Sequence, residues 1–583
     1  MLKAPKQMKY IGIDLGTTNS TISIAYKGNN GKDIMSKTLG VSQVDETGVN
    51  MVSSHTVLPS VVYYDDAETP YVGMYAKKMM SIAPKQVLSK VKRSMGKDGK
   101  YTLKSGQKYT PQEVSGIVLS VLRREAENYY MGESIDGAVI TVPASFNLLQ
   151  QNATKEAARI AGFDSSKVRL IPEPRAAILD FINEEQKKSQ DSHRLNFYEP
   201  KNIMVFDIGG GTCDVTIHRV SVEQDHVIRI KDLSISQYTE LGGIDFDNLI
   251  AQAIAKKVLD ETGVSPKEFK EKYYTIEVRE EILEFAERAK KVISNSITNK
   301  SRSMKWEETI GHFKDTQDRY VFTKLSRDLN LVKPITISRE EIDAAIETLL
   351  YDSPKSKKNL EQPIQSAFET SIVPLSKDNI DCVLLVGGMS FYPTVRERIY
   401  EIFDRKIVPV TPVDPLESIS RGAAVYHLWK ETDDEVDGDV IYPQNIFINV
   451  KKGSPETLVP YGQTLPYKSE LIKNKYVVSG SHNADFVDDM SLELFTAVDP
   501  ESPKVTSLGN AYIQFKDKVR VGSPLTLEVN VDIERNVTVK AWLSEDETQM
   551  LKVTLGEPKL SDNEQEKIKS QIEKMNDMFK VHY

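Results

Sequence analysis

Two segments of this chain are written on one plan. GIDLGTTNSTISI at residues 12–24 and VFDIGGGTCDVTI at 205–217 each carry an apolar run ending in aspartate, Asp14 or Asp207. A tight turn of glycine and threonine follows, and then a second strand-like run. One such hairpin would say little, because acidic turn residues are ordinary. Two matched copies predict two related half-domains, each built on a strand that ends at its aspartate. The surroundings agree, since through residue 430 short apolar runs alternate with longer helical patterns, the texture of layered α/β structure. Strands are expected at 9–14, 137–142, 202–207 and 381–386. Helices are expected at 111–130, 148–161, 243–261, 275–294 and 393–403.

The residue types in the turns point to one chemistry. Glycines such as Gly16, Gly209, Gly210 and Gly211 let backbone N–H groups approach phosphate oxygens with no side chain in the way. Thr17, Thr18 and Thr212 add hydroxyl donors, and Asn19 opens the strand beyond the first turn. A carboxylate at the end of each strand cannot face phosphate comfortably unless a cation lies between. Asp14 and Asp207 therefore imply Mg²⁺ held largely through water. Neither turn ends in GK[ST], so this is not a P-loop. The expected ligand is ATP or ADP with Mg²⁺.

At 583 residues the chain is too long for one core, and two to four domains are expected. Its net charge of −9 and the lack of a long basic run argue against nucleic acid or an anionic membrane as partner. Cys213 and Cys382, the two cysteines, lie in apolar stretches and read as buried thiols in a reducing compartment. With no apolar signal region and no run fit to span a bilayer, the expected location is cytoplasmic. Residues 184–202 read as a polar surface loop, and 299–333 as an irregular insertion. ETDDEVDGD at 431–439 reads as a solvated linker. Beyond it Leu525, Leu527, Val529, Val531 and Ile533 alternate with polar residues, Arg535 and Asn536 make a turn, and Val537, Val539, Ala541 and Leu543 resume the alternation. That is a β-hairpin. Further strands are expected at 446–450, 475–479, 491–498 and 511–516. In the tail, Ser561 stands three residues before Glu564 at a capping-box spacing. Ile568, Ile572, Met575 and Phe579 then share one helical face.

Taken with the paired hairpins, AVITVPASFN (138–147), ELGGIDFD (240–247) and ERAKKVIS (287–294) resemble the heat-shock protein 70 (DnaK-type) chaperones. The likeness is strong over 9–295 and 380–428 and weaker beyond. It implies an actin-like, two-lobed α/β ATPase domain with duplicated halves over 1–430 and a linker over 431–443. An antiparallel β-sandwich over 444–557 and a short helix over 558–583 would follow. By resemblance Lys92 holds the attacking water near the γ-phosphate. Glu173, in PEPRAA, organises Mg²⁺ and water, and Asp214 serves near the attacking water and a monovalent cation such as K⁺. The adenosine is expected on Gly242, Gly243, Glu287, Lys290, Lys291, Ser294, Gly387, Gly388 and Phe391. Implied partners are unfolded or extended polypeptides, J-domain proteins and nucleotide-exchange factors.

The chain also departs from that pattern. Lys291 and Phe391 stand where the family has arginines beside adenine, which predicts an altered nucleotide affinity. Pro143 matches a switch proline, but the arginine usual eight residues on is Gln151. The linker carries Asp439, Val440, Ile441 and Tyr442, shorter and more aromatic than usual. The family's long helical lid is matched only by residues 561–583, so bound peptide is expected to exchange fast. Two readings follow. One is an ATP-hydrolysing chaperone, supported by intact Asp14, Lys92, Glu173, Asp207 and Thr212. The other is an exchange-factor-like regulator with little hydrolysis, favoured by Gln151, Phe391 and the short linker. A small-molecule kinase of the same superfamily is disfavoured by the appended β-domain.

Overall fold

The computed structural model describes all residues except 1–8, 29–32, 98, 190–192, 224–226, 238–240, 299–305, 316–318, 323–333, 353–357, 413, 432–435, 451–453, 481–484, 502–504, 545, 555–561 and 581–583. The internal echo survives as topology. In the first half, strand Tyr10–Leu15 pairs in parallel with Gly137–Val142 and antiparallel with Asn19–Lys27, which pairs antiparallel with Ile34–Thr38. In the second half, Lys201–Ile208 pairs in parallel with Cys382–Val386 and antiparallel with Cys213–Val222, which pairs antiparallel with Ile228–Ile235. Each hairpin is thus the middle of its own sheet, and each Asp stands at the same place in it. Both sheets carry helices, so their strands read as continuous apolar runs: Gly137–Val142 is buried throughout. Cys213 and Cys382 are both buried and free.

Local signals place the helices. Pro111–Tyr129 opens on a capping box of Thr110 and Glu113, and Leu148–Ile160 on one of Asn147 and Gln150. Gly243–Thr262 ends at Gly263, whose φ of 69° is the left-handed cap that glycine adopts without penalty. Helix Ser418–Glu431 crosses behind the first sheet so closely that a Cβ on Gly12 would lie 2.2 Å from Ala424 N, and one on Gly422 would lie 1.8 Å from Ala176 O. Glycine is required at both places by close approach.

Three expectations need correction. The segment 299–333 is not simply irregular, because helix Trp306–Asp315 buries Trp306, Ile310 and Phe313 in the second-half core, and Arg319–Phe322 pairs with Ile335–Ser338. The linker is not wholly solvated, because Val436–Asp437 adds in parallel to the edge strand Ile228–Ile235. The polar loop is shorter than 184–202, because helix Glu173–Gln186 runs into it and strand Lys201–Ile208 begins inside it. In each case tertiary pairing or burial overrides a polar local sequence.

The C-terminal β-rich part has two antiparallel sheets over one core. Strands Asn445–Ile448, Glu456–Val459, Phe486–Ala497 and Thr506–Arg520 make one. Tyr467–Lys468, Ile472–Val477, Pro524–Val531, Val537–Leu543 and Asp546–Thr554 make the other. Leu525, Leu527, Val529 and Val531 all face that core, each side chain contributing about 1.5–3 kcal/mol by burial. The alternation stops at Val531; Ile533 lies in the turn and is exposed. Ser561 and the Phe579 side chain lie outside the described residues. Helix Asp562–Lys580 buries Ile568 and Met575 in the first-half core, and Gln571 Nε2 donates to the Tyr109 hydroxyl at 2.8 Å. Its described apolar face therefore packs on the first half of the α/β part.

Candidate active site

The two hairpin turns abut where the halves meet. A Cβ built on Gly210 would meet Thr18 Oγ1 at 2.4 Å, and one on Gly211 would meet Thr17 Cγ2 at 2.9 Å. The second turn is closed by Gly209 N–H donating to Thr212 O at 3.0 Å. It is locked to the start of helix Gly243–Thr262, where Gly243 N–H donates to Gly209 O at 2.9 Å and Ile244 N–H to Gly210 O at 2.8 Å. Asp245 caps that helix by accepting from Gly242 N–H at 2.9 Å. The first turn is held by Gly16 N–H donating to Ser20 Oγ at 3.2 Å, and Asn19 begins the following strand. The glycine backbone of both turns and the hydroxyls of Thr17, Thr18 and Thr212 thus converge, a setting suited to polyphosphate, while the N–H groups at the helix start are taken up in locking the second turn.

Beneath the turns lies a knot of charge. Lys92, from a short helical turn, donates through Nζ to Glu173 Oε1 at 2.5 Å, and both are buried. Glu173 is the first residue of helix Glu173–Gln186, where a carboxylate suits the helix dipole. Asp14, Asp207 and Asp214 complete the group. Burial and the Glu173 charge push the Asp14 carboxyl up to about 7, with Lys92 and the Thr141 hydroxyl opposing. Burial, Glu173, Asp214 and Asp14 push Asp207 well above the carboxylate range. Burial and Glu173 push Asp214 to about 6, while the Ser145 hydroxyl, 2.8 Å away, draws it down. Burial alone would lower Lys92, but Glu173 and Asp14 hold its ammonium above its ordinary value. Three buried carboxylates and the half-buried Asp14 against one lysine leave an excess of negative charge, the condition that a divalent cation relieves. Among the described residues no three carboxylates, imidazoles or thiols stand close enough to ligate a metal directly, so these residues fit Mg²⁺ held through water. A cavity of about 410 Å³ opens beside them, lined by Thr17, Lys92, Arg93, Ser145, Thr212 and Asp214 among others.

The residues expected around adenosine also converge. Ser294 Oγ donates to Phe391 O at 2.7 Å, tying helix Ile276–Thr298 to the Gly388–Phe391 turn. Gly243 approaches Met389, and Gly387, at φ 80°, leaves no room for a Cβ beside Asp207. Gly388 lies in ordinary contact with Leu416. Lys290 is committed to Asp247 at 2.6 Å, and Lys291 to Glu287 at 2.6 Å. Glu287 also meets Lys77 of the first half at 2.7 Å; burial works against it, yet Lys77 and Lys291 hold its carboxyl well below its usual range. With Lys78–Glu284 at 3.1 Å and Arg288–Glu46 at 3.1 Å, these pairs tie the first half to helix Ile276–Thr298.

Lys77, one of two adjacent lysines, carried no sequence signal, and Asp247 stood at the end of the ELGGIDFD run without a distinguishing pattern. Ser145 stood inside the quoted VPASF run but carried no distinguishing pattern. Because the Lys77–Glu287 pair is partly exposed, it is worth about 0.2–1 kcal/mol. Lys77→Ala is expected to speed ADP dissociation about two- to fivefold, and added salt to speed the wild type in the same direction. Stopped-flow displacement of a fluorescent ADP checks this; an unchanged off-rate would count against a gate.

Comparison with known proteins accords with this geometry. A family model described as Hsp70 protein matches residues 10–580. The chain is 30% identical over 533 residues to Chaperone protein DnaK of Methanothermobacter thermautotrophicus, covering 91% of this chain and 77% of that protein. It is also 30% identical over 475 residues to Chaperone protein DnaK of Thermosipho melanesiensis, covering 80% and 68% respectively. A matching family model over nearly the whole length, on two facing glycine turns over a buried carboxylate–lysine knot, places this chain in the Hsp70 family.

Proposed function

We propose that Asp14, Lys92, Glu173, Asp207, Thr212 and Asp214 are the hydrolytic residues of this chain. The protein is an ATP-dependent chaperone of the Hsp70 type, and its reaction is hydrolysis of ATP to ADP and phosphate. The family binds ATP or ADP with Mg²⁺. The observation that carries the assignment is one buried lysine set among three buried carboxylates and the half-buried Asp14, directly under two facing phosphate-type turns.

In this reading Gly16, Thr17, Thr18, Asn19 and Gly209–Gly211 cradle the phosphates by backbone N–H and hydroxyl groups. Asp14 and Asp207 would hold Mg²⁺ largely through water. When bound, that ion neutralises charge developing on the β- and γ-phosphate oxygens. Lys92 orients the attacking water, Glu173 fixes Lys92, and Asp214 accepts a proton or steadies a monovalent cation such as K⁺. Gly242, Gly243, Glu287, Lys290, Lys291, Ser294, Gly387, Gly388 and Phe391 surround the nucleoside. The ion pairs of Glu287 and Lys290 give that wall its shape.

The proposed boundaries are an ATPase domain over 1–430, a linker over 431–443, a β-sandwich over 444–557 and a terminal helix over 558–583. An extended, apolar peptide would be held on the sandwich by backbone pairing and side-chain pockets. J-domain and nucleotide-exchange proteins are the proposed co-chaperones, in the cytoplasm. Among the described residues no helix is long and apolar enough to cross a membrane. The regulator reading is not favoured, since every hydrolytic position is occupied by the required residue type.

The test is single-turnover hydrolysis of ATP by the full chain, with and without an extended apolar peptide. Turnover that peptide accelerates is expected. No turnover sinks the assignment, and turnover indifferent to peptide sinks its coupling to clients.

A further inference from the structure

One loop carries two kinds of cation. The short helical turn Val91–Ser94 sends Lys92 inward to Glu173 Oε1, while its neighbour Arg93 and, three residues past the turn, Lys97 are exposed. The loop is fixed. Lys97 N–H donates to Ser94 O at 3.1 Å, and the Tyr101 hydroxyl to Ser94 Oγ at 2.9 Å. Gly96, at φ 72°, lies on the start of helix Leu148–Ile160, where a Cβ would meet Gln150 N at 2.7 Å. Arg93 leans across to the other half: its Nη2 donates to Gly211 O, and a Cβ on Gly211 would lie 2.5 Å from its Nε. Among the described residues that neutral carbonyl is the acceptor Arg93 has, and no carboxylate pairs with Lys97.

Inner and outer groups share one cavity. Thr17, Thr212, Lys92 and Asp214 of the hydrolytic site line it together with Arg93 and Lys97. Its volume of about 410 Å³ has room for roughly a dozen waters at about 30 Å³ each, and so for a hydrated phosphate. Exposure rises along the lining, from 4% at Asp214 and 7% at Lys92 to the exposed Arg93 and Lys97. The space therefore leads from the buried groups to solvent. Lys358 of the second half also lines it, but is committed to Asp245 at 2.7 Å.

Hydrolysis would leave a phosphate of nearly two negative charges among the carboxylates of Glu173, Asp207, Asp214 and Asp14, which repel it. On the nucleoside side ADP would stand in its path. There Lys77–Glu287 at 2.7 Å and Lys78–Glu284 at 3.1 Å also tie the first half to helix Ile276–Thr298. The cavity offers two cations with no carboxylate of their own, and a recess lined by one sign of charge gathers the opposite ion.

We propose that this cavity is the exit for product phosphate, and that Arg93 and Lys97 are its receiving groups, drawing the anion away from Lys92 and Thr212 while ADP stays bound. The inference rests on the hydrolytic site proposed above. The ligand is inorganic phosphate, and the same passage in reverse admits it to the ADP complex.

Entry is measured by double mixing. The full chain carrying fluorescent ADP and Mg²⁺ is exposed to inorganic phosphate for a set time and then chased with ATP. Complexes that phosphate has entered are counted by their altered ADP release, because two ligands in one site change each other's binding. Charge steers such an entry, so Lys97→Glu is expected to slow it about three- to tenfold and Arg93→Gln about threefold, and added salt to slow the wild type in the same direction. Lys270→Glu makes the same change of net charge at an exposed position outside the cavity, and should stay within about 1.5-fold. In single turnovers, acid quench counts phosphate formed and a fluorescent phosphate sensor counts phosphate released; the lag between them should lengthen in Lys97→Glu by the same factor. Where release outruns hydrolysis no lag appears, and the entry rate decides. If Arg93→Gln disturbs the Gly211 turn and melts early, the exposed Lys97→Glu carries the test. A wild-type entry rate in Lys97→Glu, or a wild-type ADP complex that phosphate never enters, overturns the exit. A loss of ATP affinity matching the loss in entry rate would make both cations part of the ATP cradle, and also overturns it. No acid-quench product in the wild type overturns the functional reading beneath, and is told apart by that measurement alone.

Discussion

Lys92→Ala is expected to slow single-turnover ATP hydrolysis by about 10²–10³-fold while leaving ATP affinity within a few-fold of wild type. The asymmetry follows from where the ammonium sits. Its Nζ is 2.5 Å from Glu173 and buried among carboxylates, under the phosphate turns and not among their donors. Binding draws on the backbone cradle and the nucleoside wall, which the substitution leaves alone. The chemical step needs a positioned nucleophile and a neutralised transition state, and both are lost. The variant also leaves Glu173 buried without its partner, which destabilises the fold. Comparing thermal transitions with and without nucleotide separates that effect from the chemistry. Rapid-quench kinetics on a preformed enzyme–ATP complex gives the rate, and a value within threefold of wild type would remove Lys92 from the mechanism.

The second large effect is expected in binding. Gly242→Ala should weaken ATP binding about 10- to 100-fold, the equivalent of about 1–3 kcal/mol of forced repacking. Gly242 has φ −165°, extended backbone open to any residue, so conformation is not the obstacle. Contact is. A Cβ there would lie 2.5 Å from Gly211 C, 2.7 Å from Gly211 Cα and 2.7 Å from Thr212 N. All three are backbone atoms of the second phosphate turn and cannot swing aside. The turn must shift, and the bonds from Gly243 and Ile244 to Gly209 and Gly210 shift with it. Gly311→Ala, where a Cβ meets nothing within 4 Å, is the control and should bind like wild type. Calorimetric titration with ATP and Mg²⁺ measures both. Equal affinities would mean that the turn does not carry phosphate.

Much of the site was legible in the chain because it is made of local patterns. A strand ending in aspartate, followed by a glycine–threonine turn, states its own geometry: apolar residues bury the strand, and glycine admits the turn. Hence strand Gly137–Val142 matches its expectation to the residue, and Lys201–Ile208 lies within one residue of it at either end. The helix positions Glu287, Lys290, Lys291 and Ser294 follow from spacing on one face. Resemblance supplied Lys92 and Glu173, which stand 81 positions apart and share no local signature.

What only the tertiary structure decided are the partnerships between distant segments. Lys77 and Glu287 are separated by 210 positions, and nothing around either marks them as a pair. The acidic stretch at 431–439 has the composition of a solvated linker, yet part of it becomes a strand, because an unpaired sheet edge offers its backbone groups a partner. The tail's apolar face was plain, but not the surface that would cover it. The two phosphate turns declare their chemistry in sequence because backbone conformation is set by neighbouring residues. Which carboxylates crowd Lys92, and which guanidinium lies on the second turn, depends on packing between remote segments, and that is fixed only when the cores close.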